Sequence, residues 1–252
     1  MTTIFAAGTP LFVLDVDRVT AQLLALRREL PGVRIHFATG SLPHPAVIRA
    51  VDAFGASFAV ASRGEIDLLE REGVAIGRCL HTHPVKTVAD ITGAYLRGIR
   101  TFVVDSAAEA LKFQELPDAA VLVRLSYPNA LGRNDLSERF GVRREGAVPL
   151  VQQCLRARLR VAGFTLHVGD QAVSAKPRAH VIRRALALMR RLERAHGIRF
   201  DTLDLGGGLP VAYDEPVPGL AALARGIRAT LAAAPSRYRI LIEPSAFVSR
   251  PR

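Results

Sequence analysis

Lysine is scarce in this sequence. It occurs only as Lys86, Lys112 and Lys176, although lysine and arginine together number 34, against 23 acidic residues. The net charge of +11 therefore rests on arginine, and the arginines are spread over many segments with few aromatic residues beside them. Because nucleic-acid-binding surfaces combine a basic patch with aromatic side chains on which bases stack, this composition argues against binding to nucleic acid.

Cysteine is also rare, and tryptophan is absent. Two cysteines, Cys79 and Cys154, exclude a disulfide framework and indicate a reducing compartment. The first residues, MTTIFAAGTPLFVLDVDRV, have no basic segment followed by an apolar run, so they predict no signal peptide. No apolar run reaches the roughly 18 to 20 residues of a membrane span. We therefore expect a cytoplasmic protein with no membrane partner.

Strand-like and helix-like patterns alternate along the chain. Strict alternation predicts parallel strands joined by right-handed crossovers. Eight such strands predict an α/β protein with a (β/α)8 TIM-type barrel rather than an open sheet, with helices ending at Gly73, Gly98 and Gly197. The predicted strands are VRIHFAT, SFAV, RCLHT, TFVVDS, AVLVRLS, AGFTLHV, FDTLDLG and RILIEP.

The predicted organisation has two parts. Residues 1–32 are expected to form an N-terminal strand, PLFVLDV, and a helix that lead into the barrel of residues 33–252. The eighth strand is followed only by SAFVSRPR. Since a complete barrel has one more helix there, this barrel is expected to lack its last helix and to be truncated after strand 8.

Candidate functional residues follow the strands, because barrels of this kind carry their sites at the carboxyl ends of the strands. The glycines 206–208 could let backbone N–H groups approach an anion such as phosphate, or could form a plain turn. His167 could stack on a planar ligand or be structural. Glu243 could pair with a protonated ring nitrogen, or with Arg124 across the mouth of the barrel.

A metal site is a separate hypothesis. His81 and His83 are two residues apart on a predicted strand, so both side chains are expected on the same side. Such a pair could hold a metal for hydrolysis, with His36 or His167 as a third ligand. No carboxylate is placed in the sequence to complete the site, and we assign no metal ligand.

In order along the chain, these motifs resemble the fold-type-III pyridoxal-phosphate enzymes, in particular the ornithine and diaminopimelate decarboxylases. The resemblance implies an alanine-racemase-like barrel that holds the cofactor phosphate at its mouth. It also implies a C-terminal β-domain, which this chain is expected to lack, and an active site completed across a dimer interface. The motifs are TPLFVLDVDRV, PHPAVIRAVDAFGASFAVASRGEIDLL, HPVKTVADITGAYLRGIRTFVVDSAAEALK, DLSERFGV, LHVGDQ, LDLGGGLP and IEPSAF.

Several positions depart from the pattern that the resemblance implies. The family's Schiff-base lysine falls on Gly40, which has no amine to form an imine. The aspartate of the family's Phe-Asp-x-Ala-Ser motif falls on Ala59, and its phosphate-binding serine and arginine fall on Asp170 and Ala246. A carboxylate at position 170 would repel a phosphate. Lys86 could replace the missing lysine only with a different cofactor pose.

What the resemblance retains is a set of residues for non-covalent binding. It implies that pyridoxal phosphate, if bound, is held without a covalent bond, and we assign no catalytic residue. The cofactor-binding residues that it implies are Arg124, His167, Gly206, Gly207, Gly208 and Glu243.

Three functions remain in consideration. The leading hypothesis is a degenerate decarboxylase homologue that acts as a non-catalytic partner or regulator, with a small anionic ligand at the barrel mouth. We expect apolar surface where the last helix and the β-domain are missing, and hence an oligomer with itself or with an active homologous decarboxylase. The alternatives are an active pyridoxal-phosphate decarboxylase completed by another chain, and the metal-dependent hydrolase.

Overall fold

The computed structural model describes residues 13–127, 137–167, 169, 171, 174–212 and 216–249. Within these residues, strands and helices alternate as predicted. The strands are β1 (Arg34–Ala38), β2 (Ser57–Val60), β3 (Leu80–His81), β4 (Thr101–Val104), β5 (Ala120–Ser126), β6 (Arg160–His167), β7 (Thr202–Asp204) and β8 (Arg239–Ile242). The helices are α1 (Val16–Glu29), α2 (Pro45–Ala53), α3 (Arg63–Arg71), α4 (Val88–Leu96), α5 (Ala107–Leu111), α6 (Arg144–Arg156), α7 (Ala175–His196), α8 (Leu220–Leu231) and α9 (Ala246–Ser249).

The strands close into a barrel in which neighbours in the ring are neighbours in sequence. All neighbouring pairs are parallel. The ring closes where β8 pairs with β1, with Leu241 beside Arg34 and Ile242 beside Ile35. The predicted (β/α)8 barrel is therefore confirmed.

Apolar side chains form two cores, because successive residues of a strand point to opposite faces. On the outer face, Phe37, Phe58 and Phe164 are fully buried in a large cluster with the helices. Burial of a phenylalanine side chain contributes about 1.5–3 kcal/mol, so this layer stabilises the barrel. The smaller inner core consists of Leu80, Val103, Ala120, Leu122, Ala162 and Leu241.

Helix α1 fills the place after β8. The described chain has only the four-residue α9 there, and α1 packs against α2, α8 and α9. The Gln22 amide donates to the Phe247 carbonyl at 3.2 Å, and Arg228 of α8 donates to the Glu29 carbonyl. The expectation that a missing last helix exposes apolar surface is therefore wrong at this place, because α1 covers it.

The residues before α1 only partly test the predicted N-terminal strand. Residues 13–15 have no regular structure, and the earlier part of PLFVLDV lies outside the described residues. The Asp15 carboxylate accepts a hydrogen bond from the Arg18 N–H at 3.1 Å and so caps α1. The boundary at residue 32 stays a prediction.

Helix α7 is 22 residues long. The Ser174 hydroxyl caps its first turn, and it ends at Gly197, whose φ of 65° is left-handed. This end was predicted from the sequence. The charged residues of α7 are typical of a helix with one face in water. Among the helices described, neither α7 nor any other is sufficiently long and apolar to cross a membrane.

Candidate functional site

The predicted cofactor-binding residues come together at the mouth of the barrel. Arg124 lies near the end of β5, and His167 ends β6. The three glycines follow β7, and Glu243 follows β8. Because these four strands are consecutive neighbours in the barrel, the residues line one side of the mouth.

Two carboxyl groups meet on this side. Asp204 is fully buried and accepts hydrogen bonds from the Thr165 hydroxyl at 2.6 Å and the Gly206 N–H at 3.0 Å. Glu243 is hydrogen-bonded to Asp204. Burial, and then the charge of Asp204, raise the pKa of Glu243 well above its usual value, and Arg124 opposes this. Burial and the neighbouring charge of Asp204 thus both favour the protonated form of Glu243.

Arg124 has an unused donor. Its Nε is buried without a hydrogen-bond partner, and its guanidinium lies 5.3 Å from the centre of the Phe140 ring. Burial lowers the pKa of Arg124, whereas Glu243, Asp105 and Asp204 favour its charged form. An unsatisfied buried donor costs about 1–3 kcal/mol. This N–H is therefore available to an acceptor on a bound ligand.

His167 is held by the loop that follows it. The residue is half-buried, and its Nδ1 accepts a hydrogen bond from the Gly169 N–H at 3.1 Å. A ring nitrogen that accepts a backbone N–H fixes both the tautomer and the orientation of the ring. The ring of His167 is thus oriented at the strand end without any contribution from a ligand.

The glycine loop after β7 is held by a buried arginine. Arg178 of α7 is 3% exposed and donates to the carbonyls of Leu205 at 3.1 Å and Gly207 at 2.7 Å. Burial lowers the pKa of Arg178 to about 10, which leaves it charged at neutral pH. At Gly206, where φ is 65°, a Cβ would lie 2.0 Å from the Leu166 carbonyl oxygen. Backbone packing alone therefore requires glycine there.

Gly40 lies beside a fixed carboxylate. It is exposed in the short turn after β1, and a Cβ there would lie 3.2 Å from Oε1 of Glu65. Glu65 accepts the Ala61 N–H at 2.9 Å and the Ser62 hydroxyl at 3.2 Å, while its own N–H donates to that hydroxyl at 3.3 Å. This is a capping box for α3, and it directs the Glu65 carboxylate toward position 40.

Two of the other departures from the family pattern are described. Ala59 is buried in β2 with 3% exposure, and Ala246 is half-buried at the start of α9. A methyl side chain offers no hydrogen bond to a phosphate or an amine. Asp170 lies outside the described residues, so its predicted repulsion of phosphate stays a prediction.

The two histidines of the metal hypothesis contact different aromatic rings. His81 is buried, and its ring stacks on Phe102 at 5.9 Å; burial lowers the pKa of His81 to about 4. His83 instead contacts the Phe140 ring at 5.6 Å, and its Nδ1 lies 3.2 Å from the Val85 N–H. Within the described ranges, no three histidine, cysteine or acidic residues are grouped to hold a metal. The metal-dependent hydrolase is therefore not supported.

Lys86, the alternative lysine for the cofactor, is bound by a carboxylate and by backbone carbonyls. Its ammonium is 1% exposed and lies 3.1 Å from Glu109. Lys112 binds the other oxygen of Glu109 at 2.6 Å. We call these three residues the Glu109 cluster. The Lys86 ammonium also donates to three backbone carbonyls, those of His83, Pro84 and Val103, at 2.7–3.1 Å. Lys86 therefore has no N–H left for a cofactor.

Sequence reasoning missed several residues of the site. Asp204 was hidden in LDLGGGLP, although an acidic residue two positions before a glycine turn is a usable signal. Glu65 was also missed, although Ser62 and Glu65 have the spacing of a capping box. Arg178 gave no signal, since a helix pattern does not show that a basic residue is buried. His36 was considered only as a metal ligand, and the strand pattern did not show that it is buried. Burial lowers the pKa of His36 to about 4.

The described part of the chain also has a cavity away from the mouth residues. Its volume is about 460 Å3, and it lies between α1 and the segment that leads into α8. Arg18, Gln22, Leu220 and Phe247 are among its lining residues. None of the predicted cofactor-binding residues lines it.

Comparison with known proteins identifies relatives over nearly the whole chain. Residues 16–250 match the family model of the pyridoxal-dependent decarboxylase, pyridoxal binding domain. The chain is 32% identical over 207 residues to a lysine/ornithine decarboxylase of Selenomonas ruminantium, covering 81% of this chain and 52% of that protein. It is 27% identical over 207 residues to antizyme inhibitor 2 of Xenopus laevis, covering 82% and 45%.

A solved structure agrees with the fold. The lysine/ornithine decarboxylase of Vibrio vulnificus, crystallised with putrescine, superposes with a TM-score of 0.91 at 34% identity. The match covers 98% of this chain and 66% of that one. The chain thus spans about half the length of the first curated relatives it matches, at 52%, 32% and 54%.

Proposed function

Since this chain belongs to the pyridoxal-dependent decarboxylase family and matches its pyridoxal-binding domain, we propose that it is a non-catalytic partner or regulator of an active homologous decarboxylase. The observation that carries this proposal is the glycine at position 40. The resemblance aligns this position with the lysine that forms the Schiff base, and a glycine has no amine with which to form it.

The other lysines do not replace the missing one. Lys86 and Lys112 are both bound in the Glu109 cluster. Lys176 is exposed in the first turn of α7, on a helix rather than at a strand end. A lysine that is held by a carboxylate and backbone carbonyls does not present a free amine to a cofactor carbonyl.

The remaining residues fit non-covalent binding of a ring. Arg124 offers a buried N–H without an acceptor, and Glu243 offers a carboxyl group whose pKa is raised by burial and by Asp204. His167 is oriented at the neighbouring strand end. When bound, pyridoxal phosphate supplies an electron sink for breaking bonds of an amino acid. Here the residues would orient the ring without anchoring it.

Two observations support a role through a partner chain. The chain resembles antizyme inhibitor 2 as well as decarboxylases, so this family includes proteins named as inhibitors. In addition, Val85 and Val88 are 58% and 59% exposed near the barrel mouth, and apolar residues exposed together are typical of interaction surfaces. We propose a homo-oligomer, or a hetero-oligomer with an active homologous decarboxylase.

The first experiment tests the missing amine. The wild type and Gly40→Lys are incubated with pyridoxal phosphate, reduced with borohydride and weighed by mass spectrometry. We expect a cofactor adduct only in Gly40→Lys. The φ of Gly40 does not lie in the left-handed region, so a side chain is compatible with the backbone at this position. Gly40→Met is the control of similar length without an amine. A specific adduct on the wild type would overturn the proposal.

The second experiment tests the partner role. The chain is mixed with an active lysine/ornithine decarboxylase, and both the mass of the complex by light scattering and the release of carbon dioxide are measured. We expect no activity from the chain alone, and a changed rate together with a mixed oligomer. Amino-acid decarboxylation that this chain restores to an inactivated homologue would instead identify an active enzyme completed by another chain.

A further inference from the structure

Two helices at the barrel mouth begin with the Ser-x-x-Glu sequence of a capping box, and their serine caps have the same geometry. One joins β2 to α3 through Ser62 and Glu65, and the other joins β4 to α5 through Ser106 and Glu109. The two serines have φ of −147° and ψ of 160° and 159°. In each box the glutamate N–H donates to the serine hydroxyl at 3.3 Å. The two helix starts are therefore alike in backbone, but the Glu65 carboxylate accepts the Ala61 N–H at 2.9 Å, whereas the Glu109 carboxylate accepts the Lys86 N–H at 3.0 Å.

The two carboxylates differ in their cations. Glu109 binds the ammonium of Lys86 at 3.1 Å and of Lys112 at 2.6 Å. Among the described basic side chains, none forms an ion pair with Glu65. The charge of His83 lowers the pKa of Glu65, but the two residues form no ion pair. Burial raises the pKa of Glu65 above its usual value, as expected for a carboxylate without a cation.

The space next to Glu65 is open. Apart from the chain neighbours of Gly40, only the Glu65 carboxyl group lies within 4 Å of a Cβ at that position. Because the capping box holds the carboxylate still, its charge is presented to this space with little loss of side-chain entropy. A fixed anion beside an open space at a barrel mouth favours a cationic group supplied from outside the chain.

We propose that Glu65 is a subsite for the primary ammonium group of a small ligand bound at the barrel mouth. An ammonium fits better than a metal ion, since one carboxylate flanked by the Ala61 N–H donor does not supply the several oxygen ligands that a divalent cation takes. The Glu109 cluster shows that a carboxylate in this setting binds ammonium groups. The ligand thus brings its own amine to the place where Gly40 offers none.

This inference rests on the proposed function, because it takes position 40 to be empty of a protein amine. It predicts a preference among ligands of the same shape. Pyridoxamine phosphate and pyridoxine phosphate share the ring and the phosphate, and they differ in carrying an ammonium or a hydroxyl group. A charged hydrogen bond at a half-buried site corresponds to about tenfold in affinity.

The experiment is calorimetric titration of the full chain with both compounds at neutral pH. We expect the wild type to bind pyridoxamine phosphate about tenfold more tightly than pyridoxine phosphate. Glu65→Gln keeps the capping hydrogen bonds and loses the charge, so it should bind both equally. Asp67→Asn, on the same helix but paired with Arg97, is the matched control and should keep the preference.

Gly40→Lys is a second variant for the case in which Glu65→Gln does not fold. Its ammonium should occupy the subsite and abolish the preference while Glu65 stays in place. Equal affinities in the wild type, no binding of either compound, or a preference that survives in Glu65→Gln would each overturn the inference. A reduced pyridoxal phosphate adduct on wild-type protein would instead overturn the proposed function, so the two failures are distinguishable.

Discussion

The loop from β2 to α3 and the loop from β4 to α5 place a serine and a glutamate three residues apart with the same backbone angles. In the first loop, the Glu65 carboxylate is half-buried and faces open space at Gly40. In the second, Glu109 is buried between two lysines. The serine cap is local, whereas Lys86 reaches Glu109 from the loop that follows β3 and Lys112 lies three residues after Glu109. The two loops therefore share a serine cap and differ in the basic groups that reach each carboxylate.

The largest expected effect is the loss of stability when the buried ion pair of Glu109 is broken. Glu109→Gln leaves the Lys86 ammonium buried without a counter-charge, and breaking such a pair costs about 3–5 kcal/mol. We expect the melting temperature to fall by roughly 6–20 °C for a chain of this size. Glu65→Gln, the same change in the other capping box, should cost less than about 1 kcal/mol. Urea denaturation of both variants measures the difference.

Two results would contradict the expected difference between Glu109→Gln and Glu65→Gln. If both variants lost the same stability, the cost would come from the capping box and not from the lysines. If Glu109→Gln were neutral, Lys86 would be deprotonated or hydrated in the folded protein. Lys112→Met, which removes only the more exposed lysine of the Glu109 cluster, should fall between the two.

A smaller effect is expected from supplying Glu65 with a cation. Gly40→Lys and Gly40→Met both reduce the freedom of the unfolded chain, which stabilises by about 0.4–1 kcal/mol. Only the lysine pairs with Glu65, and we expect up to about 1 kcal/mol more from that pair. The ammonium should also lower the pKa of Glu65, because an opposite charge favours the carboxylate. Thermal melting and carbon-13 NMR of the Glu65 carboxyl group measure these changes, and equal melting temperatures would contradict the pairing.

Much of the fold could be predicted from the sequence because its signals are local. Alternating strand and helix patterns predicted the eight strands and their parallel order, and Gly197 ends α7 where its left-handed φ requires it. The role of α1 could not be predicted in this way. Whether a helix before β1 covers the gap after β8 depends on contacts between the two ends of the chain, such as that of Gln22 with Phe247.

The site could be predicted only in part. Strand ends identified Arg124, His167 and Glu243 as neighbours at the mouth, since all strand ends of a parallel barrel lie on one face. The sequence did not indicate that Glu243 bonds to Asp204, or that Lys86 binds Glu109. Both facts depend on which buried charges meet across neighbouring strands and loops. The histidine pair suggested a metal site for the same reason. The strand pattern did not show that His81 packs on Phe102 in the outer core.

The smallest effect is on the pH dependence of stability. Burial raises the pKa of Glu65 from its usual 4.5, so between that value and the higher folded pKa the folded state keeps a proton that the unfolded chain has lost. In this window, the contribution of Glu65 to stability falls as the pH rises. The stability of Glu65→Gln relative to the wild type should therefore increase as the pH rises from 4.5 through the folded pKa of Glu65. Because Glu65 is half-buried and screened by solvent, we expect less than about 1 kcal/mol.

Urea denaturation of the wild type and Glu65→Gln at a series of pH values measures this gain, with Glu115→Gln as the exposed control. The control should not change the slope. A saturating amine-bearing ligand should reverse the sign for the wild type, because its ammonium stabilises the charged carboxylate and makes binding stronger above the pKa of Glu65. If the wild type without ligand already gained stability from Glu65 as the pH rose, Glu65 would have a cation of its own. The contrast with Glu109 would then be lost.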